Sequence, residues 1–104
     1  FVEQGYEIEI TELDVTARSA RADRTDAEKR HAELVRTVAQ ACVDAGGARC
    51  VGVTSWGLAD DLHWRVRGVA GSKETPTLLD AYERPKAAYA ALTETLAPIT
   101  TVRR

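Results

Sequence analysis

The sequence predicts an α/β fold made of two β/α units. Two short runs of strand-forming residues, at 6–13 and 50–57, are each followed by a segment with apolar residues at helical spacing. Only a few residues separate the first helical segment from the second strand, which is the connection expected between parallel strands. In such folds the chemistry lies at the carboxyl ends of the strands.

Composition sets the class of protein. The 104 residues are enough for one small domain, and 44% hydrophobic with 29% charged residues is ordinary for a globular protein. The formal net charge of −2 argues against nucleic-acid binding. No apolar run approaches the roughly 20 residues that a membrane span needs.

The amino-terminal residues 1–5 resemble the last turn of a helix closed by a glycine, Gly5. A helix remnant at residue 1 predicts that further sequence lies upstream. The missing signal peptide therefore says nothing about the location of the parent protein.

The first strand is predicted over Tyr6–Leu13. By the two-residue period, Ile8, Ile10 and Glu12 share one face, and Leu13 lies on the other. If the two isoleucines fill an interior, Glu12 stands on the same side at the carboxyl end of the strand.

The first helix is predicted from about Asp26 to Ala45, after a polar loop at 15–24 and before Gly46-Gly47. Thr25 and Glu28 have the form of a capping box. The apolar face consists of Ala27, His31, Leu34, Val35, Val38, Ala39 and Cys42. On this face, His31 is interpreted as a packing residue rather than a metal ligand.

The second strand is predicted over Cys50–Gly57, and the chain from 58 to 82 has no clear period. Residues 59–64 suggest a short helical turn, and 68–76 an exposed loop. The last helix begins with Pro85 at its first position and ends at Pro98.

Two cysteines, Cys42 and Cys50, flank the start of the second strand. They are either two small buried apolar residues or a disulfide, because a helix packed on its own sheet could bring them together. With His31 and His63 they do not match zinc-binding patterns.

Three residues could carry chemistry at the strand ends. On residue type alone Glu12 is a surface carboxylate, but Trp56 and Trp64 follow the second strand, and aromatic faces near a carboxylate favour sugar binding. Solvent exposure is the simpler interpretation of His63. Asp60 and Asp61 are expected to cap a turn. Neither a glycine-rich phosphate loop nor a Gly-x-Ser-x-Gly motif is present.

Together these motifs resemble the C-terminal part of glycoside hydrolase family 10, the endo-1,4-β-xylanases. The resemblance rests on five segments in order, covering nearly the whole chain. They are Ile10-Thr11-Glu12-Leu13-Asp14-Val15; Cys42 with Cys50; Val51-Gly52-Val53-Thr54-Ser55-Trp56-Gly57-Leu58-Ala59-Asp60 with Trp64; Thr77-Leu78-Leu79-Asp80; and Arg84-Pro85-Lys86-Ala87-Ala88-Tyr89.

The family fold is a (β/α)8 TIM barrel, so the resemblance implies that residues 1–104 are a partial catalytic domain. They would comprise the tail of helix 6, strand 7, helix 7, strand 8 and helix 8, about the last two β/α units. Cys42 and Cys50 align with a disulfide of some members. Ser55 differs from the aromatic or aliphatic residue that is common there.

The resemblance also implies roles for site residues. Glu12 aligns with the catalytic nucleophile, Asp14 with an acidic residue that orders the site, and Trp56 and Trp64 with aromatics that wall the sugar subsites. The family's acid/base glutamate, in a Trp-…-Asn-Glu segment, has no match here.

The expected function is retaining hydrolysis of xylan or xylo-oligosaccharides without cofactor or metal, by a secreted protein. The chain alone is expected to be inactive, needing the missing N-terminal barrel portion or other copies. The alternatives are another retaining β-glycosidase of the barrel clan, such as a β-glucosidase or mannanase, and a noncatalytic carbohydrate-binding fragment.

Overall fold

A parallel two-stranded sheet with both helices on one face forms the fold. The computed structural model describes residues 1–16, 24–46, 48–70 and 74–100. The main elements are strand β1 (Ile8–Leu13), helix α1 (Arg24–Ala45), strand β2 (Cys50–Ser55) and helix α2 (Ala87–Thr100). The predicted order of elements and the parallel pairing are confirmed.

The core lies between the sheet and the two helices. Leu13 of β1 is buried against Val35 and Ala39 of α1 and against Ala88 and Leu92 of α2. Each helix buries one stripe of apolar residues in this layer, which is why apolar residues at helical spacing predicted the two helices.

Strand β1 does not keep the simple alternation that its sequence suggests. Ile10 and Leu13 both pack on the helix-side core, although they are three residues apart. Opposite them, Val53 and Ser55 are only two residues apart, so the ladder shifts register between Ile10 and Leu13. The predictions that Leu13 faces away from Ile10 and that Glu12 shares the face of Ile10 are therefore wrong, because the irregularity puts Leu13 on the helix side and Glu12 on the other.

The other face of the sheet is open in the described part of the chain. Its residues are Glu9, Thr11, Glu12, Val51 and Thr54, and all five are exposed. Glu9 leans across β2, where the absence of a side chain at Gly52 leaves room for its carboxylate. A Cβ placed on Gly52 would lie 3.5 Å from Glu9 Oε1.

Helix ends differ from the predictions by a few residues. Helix α1 begins at Arg24, so Thr25 lies in the first turn and not at the N-cap. It ends before Gly46, whose φ of +85° suits a glycine. Gly47 lies outside the described residues, as does most of the predicted loop at 15–24.

Proline positions in α2 also need correction. The helix begins at Ala87, because Pro85 forms an antiparallel bridge with Leu79. At the other end the helix continues through Pro98 to Thr100. A proline at this position removes one backbone hydrogen bond, and its ring crowds the carbonyl four residues earlier, which is why the sequence pattern predicted an end there.

A disulfide between Cys42 and Cys50 joins the end of α1 to the start of β2. Both cysteines are buried, and they lie eight residues apart in sequence. The disulfide expected from the family resemblance is thus present. At the same end, the 3-10 turn Val2–Gln4 closes at Gly5, whose carbonyl accepts a hydrogen bond from Arg49.

Candidate active site

Glu12 occupies the penultimate position of β1, and its side chain is exposed. The ladder continues one residue past β2, where the Trp56 N–H donates to the Leu13 carbonyl at 3.0 Å. Trp56, whose residue surface is 48% exposed, therefore begins the loop directly beside the end of β1. The predicted carboxylate and the first predicted aromatic residue thus come from neighbouring strand ends.

Asp14 connects β1 to the second tryptophan. The indole Nε1–H of Trp64 donates to Asp14 Oδ2 at 3.2 Å across a separation of 50 residues. Two further loop groups approach the same oxygen: His63 Nε2 at 3.2 Å and Arg65 Nε at 3.8 Å. We call Asp14, His63, Trp64 and Arg65 the Asp14 cluster. It fixes an exposed indole at the carboxyl end of the sheet.

His63 is buried, with 2% of its surface exposed, so the expectation of solvent exposure is wrong. Its Nδ1 accepts the Arg65 backbone N–H at 3.2 Å, which in the neutral ring leaves the proton on Nε2. Although Nε2 is close to Asp14, it makes no directed hydrogen bond with any described residue. The contact with Asp14 is therefore one of proximity.

Gly57 makes room for His63. Its φ is +100°, and a Cβ there would lie 2.8 Å from His63 Cδ2 and 3.2 Å from Thr77 Cγ2. A side chain at this position would be strained by the backbone angle and would also displace the imidazole. The glycine after Trp56 thus lets the loop fold tightly over the end of β2.

A second group of polar residues lies beneath the same loop and was missed from the sequence. Lys86 Nζ lies 2.9 Å from both carboxylate oxygens of Asp60, and it also donates to the Thr75 carbonyl at 3.0 Å. Asp60 Oδ1 accepts the Thr77 backbone N–H at 3.0 Å. We call Asp60, Thr77 and Lys86, together with the adjacent His31, the Asp60 cluster.

Burial distinguishes this cluster from ordinary surface charges. The Lys86 and Asp60 side chains are 6% and 8% exposed, and Thr77 is almost fully buried. The expectation that 68–76 is an exposed loop fails at Pro76, which is buried. Asp60 does stand in the short 3-10 turn Asp60–Leu62, but it binds the far side of the loop rather than capping that turn.

His31 of α1 packs beside this ion pair. Burial, and then the positive charge of Lys86, lower the pKa of His31 to about 4. The negative charge of Asp60, and then a backbone hydrogen bond to Pro76, oppose this shift. Its Nε2 has no hydrogen-bond partner among the described residues. The interpretation of His31 as a packing residue therefore holds, with one ring nitrogen left unpaired.

A rigid turn precedes α2. Asp80 Oδ1 accepts the backbone N–H groups of Tyr82 and Arg84, and Oδ2 accepts from Arg84 Nε at 2.8 Å. These bonds, the Arg84 side chain first, lower the pKa of Asp80 to about 2. The turn fixes the direction in which the chain returns to the core.

Neither helix, over its described residues, is long and apolar enough to cross a membrane. In the described ranges no set of three or more His, Cys, Asp or Glu side chains is arranged to hold a metal ion. What the strand ends present is one exposed carboxylate, Glu12, together with two exposed indoles. This arrangement can stack on a sugar and offer a carboxylate to it.

Comparison with known proteins agrees with this chemistry. The sequence model of Glycosyl hydrolase family 10 matches residues 1–95. Endo-1,4-beta-xylanase 2 of Aureobasidium pullulans is 33% identical over 97 residues, which cover 92% of this chain and 25% of that protein. A beta-1,4-xylanase of Dictyoglomus thermophilum is 31% identical over 97 residues, covering 86% and 27%. The chain spans about a quarter of the length of each.

Solved structures give the same answer. A glycosylated endo-beta-1,4-xylanase from Gloeophyllum trabeum superposes with a TM-score of 0.76 at 32% identity, covering 91% of this chain and 29% of that one. Xylanase 10B from Thermotoga petrophila in complex with xylobiose gives 0.76 at 28% identity, covering 94% and 29%. These xylanases are TIM barrels, so the chain has the structure of part of a barrel, and it belongs to glycosyl hydrolase family 10.

Proposed function

We propose that this chain is the part of a retaining endo-1,4-β-xylanase that carries the catalytic nucleophile, Glu12. The main observation behind this proposal is the exposed Glu12 carboxylate at the end of β1. It lies next to the end of β2, where Trp56 follows. The xylanase relatives and the xylobiose complex of one of them support xylan as the substrate.

On this proposal, residues 1–104 form about the last two β/α units of the barrel. Strands β1 and β2 are its seventh and eighth strands, and the turn at 2–4 is the tail of the sixth helix. The exposed sheet face, which includes Glu9 and Val51, then faces the barrel interior. A parallel sheet is normally covered on both faces, which supports this placement.

In the proposed mechanism Glu12 attacks the anomeric carbon of a xylosyl unit. The glycosidic C–O bond breaks while an acid from elsewhere in the barrel protonates the leaving oxygen. The same group then takes a proton from water, whose oxygen displaces Glu12 and leaves the sugar with its original configuration. Trp56 and Trp64 hold the sugars by stacking, and Asp14 keeps Trp64 in place.

The nucleophile assignment is tested by Glu12→Ala in the full-length protein, with an aryl xylobioside as substrate. We expect turnover to fall by at least about 10³-fold, since the covalent intermediate cannot form. Added azide should restore aryl release and give a glycosyl azide of inverted configuration. Glu33→Gln is the matched control, because Glu33 is an exposed carboxylate of α1, on the other side of the sheet from Glu12. Near-normal activity of the Glu12→Ala variant would refute the assignment.

We further propose that the 104 residues alone are inactive, because they lack an acid/base partner for Glu12. Release of reducing sugar from xylan by the isolated chain would refute this. Binding of xylo-oligosaccharides by the isolated chain, unaffected by loss of Glu12, would favour a noncatalytic binder. Cleavage of glucan or mannan instead of xylan would favour another retaining glycosidase.

Secretion of the protein is supported by the Cys42–Cys50 disulfide, since such bonds persist in oxidising compartments.

A further inference from the structure

Arg65 occupies a distinctive position in the Asp14 cluster. Its guanidinium carbon lies 4.6 Å from the centre of the Trp64 ring, so it covers one face of the indole. Its Nε lies 3.8 Å from Asp14 Oδ2, and this nitrogen is buried. One edge of the guanidinium is thus turned inward, towards the carboxylate that also holds Trp64.

The outer part of Arg65 is accessible. Its side chain is 36% exposed, although Nε is buried, so the exposed surface belongs to the rest of the side chain. Within the described ranges the guanidinium makes no hydrogen bond, and Arg65 contributes only its backbone N–H, to His63. A guanidinium has five N–H donors in a rigid fork, so donors remain for a ligand.

The ligand that fits this position is an acidic sugar. The planar fork of arginine matches a carboxylate, and stacking on an aromatic ring holds the fork in place before binding. Because Arg65 covers one face of Trp64, a sugar of the main chain must use the other face or the ring edge. A uronic acid attached to that chain extends by one further ring, which can bring its carboxylate to the guanidinium.

We propose that Arg65 gives this site a preference for xylan chains that carry uronic acid side groups. The inference rests on the proposed xylanase function and names the class of its substrate. Asp14 does not cancel the effect, because it approaches Arg65 from the Nε edge. Its role is to orient the guanidinium and to hold the indole on which the guanidinium lies.

The test compares two matched xylo-oligosaccharides, one plain and one with a single glucuronosyl substituent, on the full-length protein. We expect Arg65→Gln to lower the ratio of kcat/KM for the acidic substrate to kcat/KM for the plain one by about tenfold, the factor for losing a charge-assisted hydrogen bond. Arg65→Lys should retain part of the preference. Arg67→Gln is the matched control, because Arg67 is an exposed arginine two residues away, and it should leave the ratio unchanged.

Several results would overturn the proposal. Equal losses on both substrates would show that Arg65 only positions Trp64, and unchanged kinetics would show that it does not meet the substrate. A similar loss in Arg67→Gln would indicate general electrostatic attraction. If the wild type cleaves neither substrate, the xylanase assignment fails. The inference about Arg65 is then tested by measuring the binding of both oligosaccharides by calorimetry. Tighter binding of the acidic oligosaccharide by wild type than by Arg65→Gln would support the inference, and equal binding would reject it.

Discussion

Two aspartates organise the loop after β2, and they do so in different surroundings. Asp60 is 6% exposed, and Lys86 reaches both of its oxygens at 2.9 Å. The Asp14 side chain is 19% exposed, and its partners approach a single oxygen at 3.2–3.8 Å. One carboxylate is surrounded by close hydrogen bonds, whereas the other lies at the rim of an open site.

The difference shows how one loop can serve both stability and binding. The Asp60 cluster joins α1, the 3-10 turn, the segment at 75–77 and the residue before α2, so it anchors the loop from below. The Asp14 cluster lies above it, where Trp64 is 61% exposed. Gly57 lies between the two, with space for a Cβ blocked by His63 on one side and Thr77 on the other. Loss of the Asp60 cluster should lower the free energy of unfolding, and loss of the Asp14 cluster should weaken substrate binding.

The largest expected effect on stability comes from Lys86→Met. The variant leaves the Asp60 carboxylate buried without its cation, which typically destabilises a protein by about 3–5 kcal/mol. Urea unfolding of the full-length protein measures the change. The double variant Lys86→Met with Asp60→Asn should recover part of the loss, because no unpaired charge then remains in the interior.

The control for this prediction is the exposed Arg30–Asp26 pair of α1, with side chains 57% and 46% exposed. Arg30→Met removes a cation from a pair with a similar N–O distance, but water screens both partners. We expect a loss of only about 0.5 kcal/mol. Equal losses in the two variants would contradict the claim that burial separates the clusters.

The sequence predicted the fold and the position of the exposed site residues better than it predicted the buried Asp60 cluster. Helical spacing located α1 and α2, and the strand positions placed Glu12, Trp56 and Trp64 at one end of the sheet. These predictions succeed because they depend on local periodicity and on the direction of parallel strands. The register shift within β1 could not be read from the same pattern, since it depends on the pairing with β2.

The Asp60 cluster escaped prediction because its members look like surface residues. Lys86 precedes an exposed helix start, and Asp60 sits in an acidic pair, where solvation is the usual state. They become a buried pair only when the loop folds back onto α1. The nearest signal was His31 on the apolar face of α1, since a polar ring there needs polar neighbours. Finding those neighbours required the tertiary structure.

An intermediate effect is expected from acidification, through His31. Its pKa is about 4 in the folded chain and 6.5 in the unfolded one, so between these values only the unfolded chain binds the proton. The contribution of His31 to the free energy of unfolding is therefore complete above pH 6.5 and falls as the pH drops to 4. The total loss is about 3 kcal/mol, with no further change below pH 4.

His31→Gln isolates this contribution, because an amide can still donate to the Pro76 carbonyl but does not titrate. The difference in unfolding free energy between wild type and variant should change by about 3 kcal/mol between pH 7 and pH 4. A difference that stays constant over this range would show that the pKa of His31 is not lowered in the folded protein. The Asp60 cluster would then be more accessible to water than its burial implies.

Among the variants of the two clusters, Asp14→Ala should have the smallest effect on stability and the clearest effect on binding. Since Asp14 is partly exposed and accepts one directed hydrogen bond from Trp64, its loss should cost about 1 kcal/mol of unfolding free energy. Freed from Asp14, the Trp64 ring should hold sugars less well, so we expect KM for xylo-oligosaccharides to rise about tenfold with kcat changed less than about threefold. Trp64→Phe keeps a ring but loses the N–H, and should raise KM less.

In the Trp64→Phe background, Asp14→Ala should add little, because the hydrogen bond that couples the two residues is already gone. A fall in kcat with KM unchanged would place Asp14 in the ordering of Glu12 instead, and an unfolding cost as large as that of Lys86→Met would erase the distinction between the two aspartates.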